Sequence, residues 1–161
     1  MVSEEERLFI PLVYPPASLR LKRIRGNIHV WCVVRRKFLM LTPEEWVRQH
    51  IVHYLVYELG YPLGLISLEK GTTYQSMSKR TDILIFDLHG AALLLIECKA
   101  PGVQLNSETM HQAAQYNHTL MASYVMISNG LAFQLVFISS DSNTMIVLDN
   151  IPNWKTITGE S

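Results

Sequence analysis

Two apolar runs placed almost back to back limit most severely what this chain can fold into. Arg80–Leu88, containing TDILIFDL, and Ala91–Lys99, AALLLIECK, are apolar on both faces of an extended strand. A half-buried strand alternates, so runs of this kind belong at the centre of a sheet covered on both sides. His89-Gly90 between them reads as a tight turn, making the pair an antiparallel hairpin. If these are the two turn residues, Leu88 pairs with Ala91. The same register then sets Asp82 opposite Glu97 and Arg80 opposite Lys99. A four-residue loop keeps that register, whereas a three-residue loop would break it.

Opposed residues on paired strands hold their Cβ atoms about 4.5–5.5 Å apart. Two carboxylates at that separation repel, and here the flanking residues are apolar. A divalent cation between them reverses the sign, because hard oxygen ligands are what Mg²⁺ takes. Lys99 projects to the same side, where an amine can orient an attacking water or stabilise charge on a phosphate. The plainer alternative makes Asp82 a turn cap and Glu97 with Lys99 a surface pair. Paired and doubly buried strands weigh against it.

The rest of the chain supplies an α/β frame. Thr42-Pro43-Glu44 is a helix start, with a cap, a first-turn proline and acids at the positive end of the dipole. The helix should run from Pro43 to Leu59, stopped by Gly60-Tyr61-Pro62. Val47, Ile51, Tyr54, Leu55 and Glu58 share one side. Glu44 lies on that buried-facing side as well, and Glu45 points elsewhere. An acid on an apolar face needs a partner, although acids near a helix start are also favoured by the dipole alone. Leu65–Lys70 reads as a strand. A second helix starts at Asn106 or Ser107 and runs to Met121, with Met110, Ala113, Ala114, Asn117, Leu120 and Met121 inside. Further strands are expected at Ser123–Ile127, Leu131–Ile138 and Thr144–Leu148, with Asn129-Gly130 as a turn. Residues 151–161 form a tail expected to be loose.

A chain of 161 residues is long enough for one domain with a real core. No apolar run reaches the length of a membrane span, and the acidic start MVSEEERLF lacks the order of a signal peptide. Two cysteines, Cys32 and Cys98, make no disulfide framework and no zinc spacing. The cytoplasm is the expected location. Net charge is zero but unevenly spread: no acid occurs between Glu6 and Glu44, while eight of the fourteen basic residues do. From Glu44 onward, six basic residues face eleven acidic ones. Residues 1–41 therefore read as a basic N-terminal arm, with strands between Ile28 and Leu41. The arm is expected to pack on or extend the acidic core of residues 42–150 rather than bind phosphates, because whole-chain neutrality disfavours nonspecific nucleic-acid affinity.

Taken together, LTPEEWVRQHIVHYLVYELGYP, KRTDILIFD, LLLIECKAP and HQAAQYN resemble the N-terminal nuclease domain of type I restriction enzyme R subunits, within the PD-(D/E)xK superfamily. The resemblance covers roughly Leu41 to Ile138. It implies a restriction-endonuclease-like α/β fold, with a central mixed β-sheet flanked by helices (an αβββαβ core) and an N-terminal arm. It also implies a Mg²⁺-dependent phosphodiesterase site, with Mn²⁺ an alternative ion. Carried over residue by residue, the first-helix glutamate falls on Glu44, in its E-x-x-V-R setting, and the aspartate on Asp82. The ExK pair falls on Glu97 and Lys99. Asp82, Glu97 and the backbone carbonyl of Cys98 would hold the metal. Gln112 and Tyr116 match a Q-x-x-x-Y helix motif near substrate, and Arg80 is a candidate to steer a phosphate. Thr81 stands where the superfamily has proline.

DNA is the expected substrate, with RNA open, and a homodimer or a larger restriction-type assembly the expected setting. A rival reading is a non-catalytic nucleic-acid-binding or assembly module that retains the nuclease fold. The motor motif G-x-x-x-x-G-K-[ST] does not occur, so this chain cannot translocate DNA by itself. Other residues read more plainly. His50 and His53 suit helix-side packing, Lys79 suits solvent, and Cys98 should face the core. Glu69 is at most a supporting acid.

Overall fold

The computed structural model describes residues 3–74, 77–142 and 144–160, with only the main chain for 69–74 and 77–81. A short helix α1 (Glu4–Leu8) precedes a three-stranded antiparallel sheet, β1 (Leu21–Ile24), β2 (Asn27–Cys32) and β3 (Lys37–Met40). Then follow α2 (Pro43–His53), β4 (Ile66–Tyr74), β5 (Met77–Phe86), β6 (Ala92–Cys98), α3 (Ser107–Leu120), β7 (Tyr124–Ser128), β8 (Phe133–Ile138), β9 (Met145–Leu148) and α4 (Trp154–Thr158). The large sheet runs β4-β5-β6-β7-β8-β9 in space. Among the described residues only β6 and β7 pair in parallel, the connection that α3 makes possible. From α2 to β7 the order is αβββαβ, a central mixed sheet flanked by helices.

The doubly apolar strands lie where their composition requires. Ile83, Ile85, Leu94 and Ile96 face α2 and pack with Val47 and Ile51. Leu84 and Leu95 face the other way, against Tyr116 and Leu120 of α3. Val125 and Ile127 of β7 join Ala113 on the same side. Two apolar layers thus enclose the centre of the sheet.

The hairpin turn departs from the expected two-residue form. Asp87 N–H donates to the Ala91 carbonyl, leaving Leu88, His89 and Gly90 as a three-residue loop. Asp87 itself shapes it, since its carboxylate accepts from the N–H groups of His89 and Ala91. Gly90 occupies the left-handed region at φ +84°. Taken alone, this loop would shift the register by one residue. Instead Phe86 pairs with Ala92, Ile85 with Leu94, and Leu93 bulges out of the ladder. From Ile85–Leu94 through Ile83–Ile96 the pairing is the one the sequence implies. Burial is the reason: a slip of one residue would turn every apolar side chain to the wrong layer.

The first long helix is not uniformly α-helical to Leu59. Thr42 caps it, with its hydroxyl accepting from Glu45 N–H at 3.1 Å. After His53 it widens into a π-helical turn, Tyr54–Glu58. The widening ends with Tyr61 N–H bonded to the Leu55 carbonyl, which brings both fully buried side chains into the core together.

The arm packs on the core by apolar and main-chain contacts. Val13 N–H bonds the Gly130 carbonyl, Trp46 Nε1–H bonds the Ile10 carbonyl, and Phe9 meets Trp46 edge-on at 5.2 Å. Tyr14 is buried, 2.6 Å from Ser128 Oγ. That hydroxyl gives its proton to the Ala132 carbonyl, so Tyr14 is the donor. The tail also differs from expectation. Ile151, Trp154 and Ile157 are core residues, α4 is capped by Asn153, and Tyr61 Oη–H donates to the Pro152 carbonyl. Three large apolar side chains within seven residues drive this docking.

Candidate carboxylate site

One step beyond the Ile83–Ile96 pair, the register brings Asp82 opposite Glu97, close enough for each acid to shift the other's proton affinity. Asp82 Oδ2 also accepts from the Cys98 backbone N–H at 2.8 Å. Glu97 is buried, and its Oε1 has no hydrogen-bond partner among the described residues. An unsatisfied buried carboxyl oxygen is costly and calls for an explanation. Burial, and next the Asp82 charge, push the Glu97 carboxyl up to about 9, with Lys99 opposing and Glu44 reinforcing. Burial raises Asp82 as well, while the Cys98 N–H, Glu97, Arg48 and Lys99 pull it back. Lys99 is therefore within electrostatic range of both acids. It is half-buried, and its backbone N–H is tied to the Ser128 carbonyl at 2.7 Å.

A cleft of about 80 Å³ opens beside Asp82, lined by Thr42, Glu44, Glu45, Arg48, Asp82 and Cys98, with Glu97 and Lys99 outside that lining. Glu44 and Glu45 exchange the roles that helical spacing suggests. Glu44 is exposed at the cleft rim. Glu45 is buried, held by a two-pronged ion pair with Arg48 and by Gln49 Nε2 at 3.2 Å. Glu45 lies beside Asp82 and Cys98 in the cleft lining, and the pairing with Arg48 is what lets a carboxylate lie buried there. Sequence reasoning missed Glu45, Arg48 and Gln49 as a group, although the i,i+3 and i,i+4 spacing carried the signal. Cys98 points into the core, where burial raises its thiol far above its ordinary value.

The remaining candidates lie apart. Among the described residues, Gln112 and Tyr116 do not line this cleft; Gln112 is exposed on α3 and Tyr116 packs on Leu84 and Leu95. Arg80 pairs along the main chain with Gly71. The side chains of Arg80, Lys79, Thr81 and Glu69 lie outside the described residues. Among the described residues no three His, Cys, Asp or Glu side chains form a ready-made ligand cluster. The donors on hand are two carboxylates and main-chain carbonyls. That is the short protein contribution Mg²⁺ accepts when water and substrate fill its other positions.

A mixed sheet between helices, with an acidic pair and a lysine at the end of its central hairpin, is the architecture of a restriction-endonuclease-like α/β domain. Residues 43–152 match the family model for the type I restriction enzyme R protein N terminus (HSDR_N). The chain belongs to that family. No curated protein matches it. Among solved structures, a fragment assigned to an HsdR subunit of a type I restriction enzyme from Vibrio vulnificus YJ016 is 15% identical, with a TM-score of 0.47. The match covers 70% of this chain and 25% of that one, so the chain spans about a quarter of its length.

Proposed function

We propose that this domain hydrolyses DNA phosphodiester bonds with a divalent cation, Mg²⁺ or Mn²⁺, held by Asp82, Glu97 and the Cys98 carbonyl. The observation that carries the reading is the pairing of half-buried Asp82 with buried Glu97, whose Oε1 has no partner among the described residues. A divalent charge there would satisfy that oxygen and favour the ionised form of both acids. When bound, the cation supplies Lewis-acid charge at the scissile phosphate. Asp82 is held in place by the Cys98 N–H. Lys99, anchored through the Ser128 carbonyl, orients the attacking water and offsets charge on the phosphate. Glu44 at the rim takes up a proton or holds a water. Gln112, Tyr116 and Arg80 would serve substrate placement, and the setting would be a cytoplasmic restriction-type assembly acting on DNA.

Nicking of supercoiled plasmid in Mg²⁺ or Mn²⁺ tests this. Lys99→Ala and Asp82→Asn should each lower the rate by about a hundredfold or more, the scale of losing a charge-stabilising group. Equal rates in all three proteins would remove the mechanism. A domain that only binds would show no carboxylate-dependent uptake of Mn²⁺ by calorimetry.

A further inference from the structure

The small sheet has one face in the core and one turned outward. Val30 and Cys32 of β2 are fully buried and Leu39 of β3 packs beside them. By alternation, the other face carries two rows across the strands. Lys22, His29 and Met40 form one row. Arg20, Trp31 and Phe38 form the next, since Trp31 N–H bonds the Arg20 carbonyl at 2.8 Å and Trp31 pairs with Phe38. The two rings meet edge to face at 5.2 Å. Arg20 lies 5.5 Å from the Trp31 ring and 5.4 Å from Phe38, and Lys22 lies 5.4 Å from Phe38. Both cations are exposed. The rings hold two long side chains in place that would otherwise sweep solvent.

The hairpin tips repeat the theme. Arg25 and Arg36 stand at φ +49° and +54°, left-handed positions where glycine or asparagine is the low-cost choice. Neither position favours arginine on conformational grounds, so its charge is the better account of it. The sheet's own strands carry no acid; Glu5 of α1 pairs at 2.7 Å with Arg23, which by alternation lies on the other face from Lys22. The sheet also leads directly into the cleft: β3 ends at Met40, and Thr42, two residues on, lines it.

We infer that this face is a binding platform for single-stranded DNA. A cluster of cations selects a polyanion, and aromatic rings beside them select one that carries flat, unstacked apolar groups. Duplex DNA presents phosphates but keeps its bases inside, so the rings would have nothing to meet. The choice of DNA rests on the nuclease reading of the adjoining cleft. The platform itself needs no chemistry, and binding in EDTA separates the two.

The test is fluorescence anisotropy of the full chain in EDTA, with a labelled oligothymidylate and a duplex of equal length, across a salt series. The oligothymidylate should bind more tightly than the duplex and quench tryptophan emission, since Trp31 alone of the three tryptophans lies on this face. Arg20→Ala with Lys22→Ala should weaken binding about tenfold and reduce the salt slope by roughly 1.4, about 0.7 for each phosphate no longer neutralised. Phe38→Leu keeps an apolar side chain for folding but should still lower affinity about fivefold or more. Thermal melts confirm that each variant folds. Equal affinity for duplex and single strand, or unchanged affinity in both folded variants, overturns the platform. Asp82→Asn should bind as the wild type does in EDTA. Normal binding with no nicking by any protein would refute the cleavage reading and leave the platform standing.

Discussion

At the scale of single residues, the acid pair defines what can be measured first. Glu97 holds its proton more tightly in the folded chain than in the unfolded one, so the folded state binds more protons between its ordinary value and about 9. Stability then falls as pH rises through that window. In EDTA, melting temperature should drop from pH 5 to pH 8, and Glu97→Gln should flatten that slope. At pH 8 the variant should melt about 3 °C or more above the wild type. A steeper slope in the variant would count against the assignment. Arg48→Ala makes a different case, because it strands the buried Glu45 carboxylate. It should cost about 3–5 kcal/mol by denaturant titration, the usual result of breaking a buried pair from one side. Paired replacement of Glu45 and Arg48 by apolar residues should recover much of that loss.

At the scale of elements, what is legible in the sequence divides along a physical line. The central hairpin, α2 and α3 carry strong periodicity and caps of their own, so the sequence alone announces their existence and type. Asp82 and Glu97 are legible as a pair for the same reason: Ile83, Ile85, Leu94 and Ile96 tolerate only one register. The turn is not, because Asp87's side-chain bonds and the Leu93 bulge both depend on local geometry that composition does not encode. Glu44 and Glu45 change places because helical periodicity ranks faces by apolar content alone, and the i,i+3 pair with Arg48 lets Glu45 lie buried beside the cleft. Gly130 marks the contact of arm with core. A Cβ there would stand 2.6 Å from Leu12 Cδ2 and 2.9 Å from Val47 Cγ2, at φ +82°. Gly130→Ala should therefore destabilise by about 1–3 kcal/mol, read from urea midpoints. If Leu12→Ala in the same chain gives no relief, the clash is not the cause.

At the scale of the whole molecule, both ends of the chain close over one core. The arm seals α2 through Phe9, Ile10 and Tyr14, and α4 seals the end of the π-helical turn through Trp154, whose N–H bonds the Leu59 carbonyl. Trp154→Ala should cost about 3–5 kcal/mol, the range for emptying a large buried aromatic site. Loss of secondary structure confined to α4, with the rest unchanged by hydrogen exchange, would show the tail to be a separate unit instead. The bulge at Leu93 has a consequence of another kind. It stands between the hairpin tip and the acids, so the spacing of Asp82 and Glu97 is insulated from the length of the loop. A fluorophore-bearing peptide inserted between His89 and Gly90 should therefore leave the carboxylate pair in register. That makes the tip a natural handle for reporters.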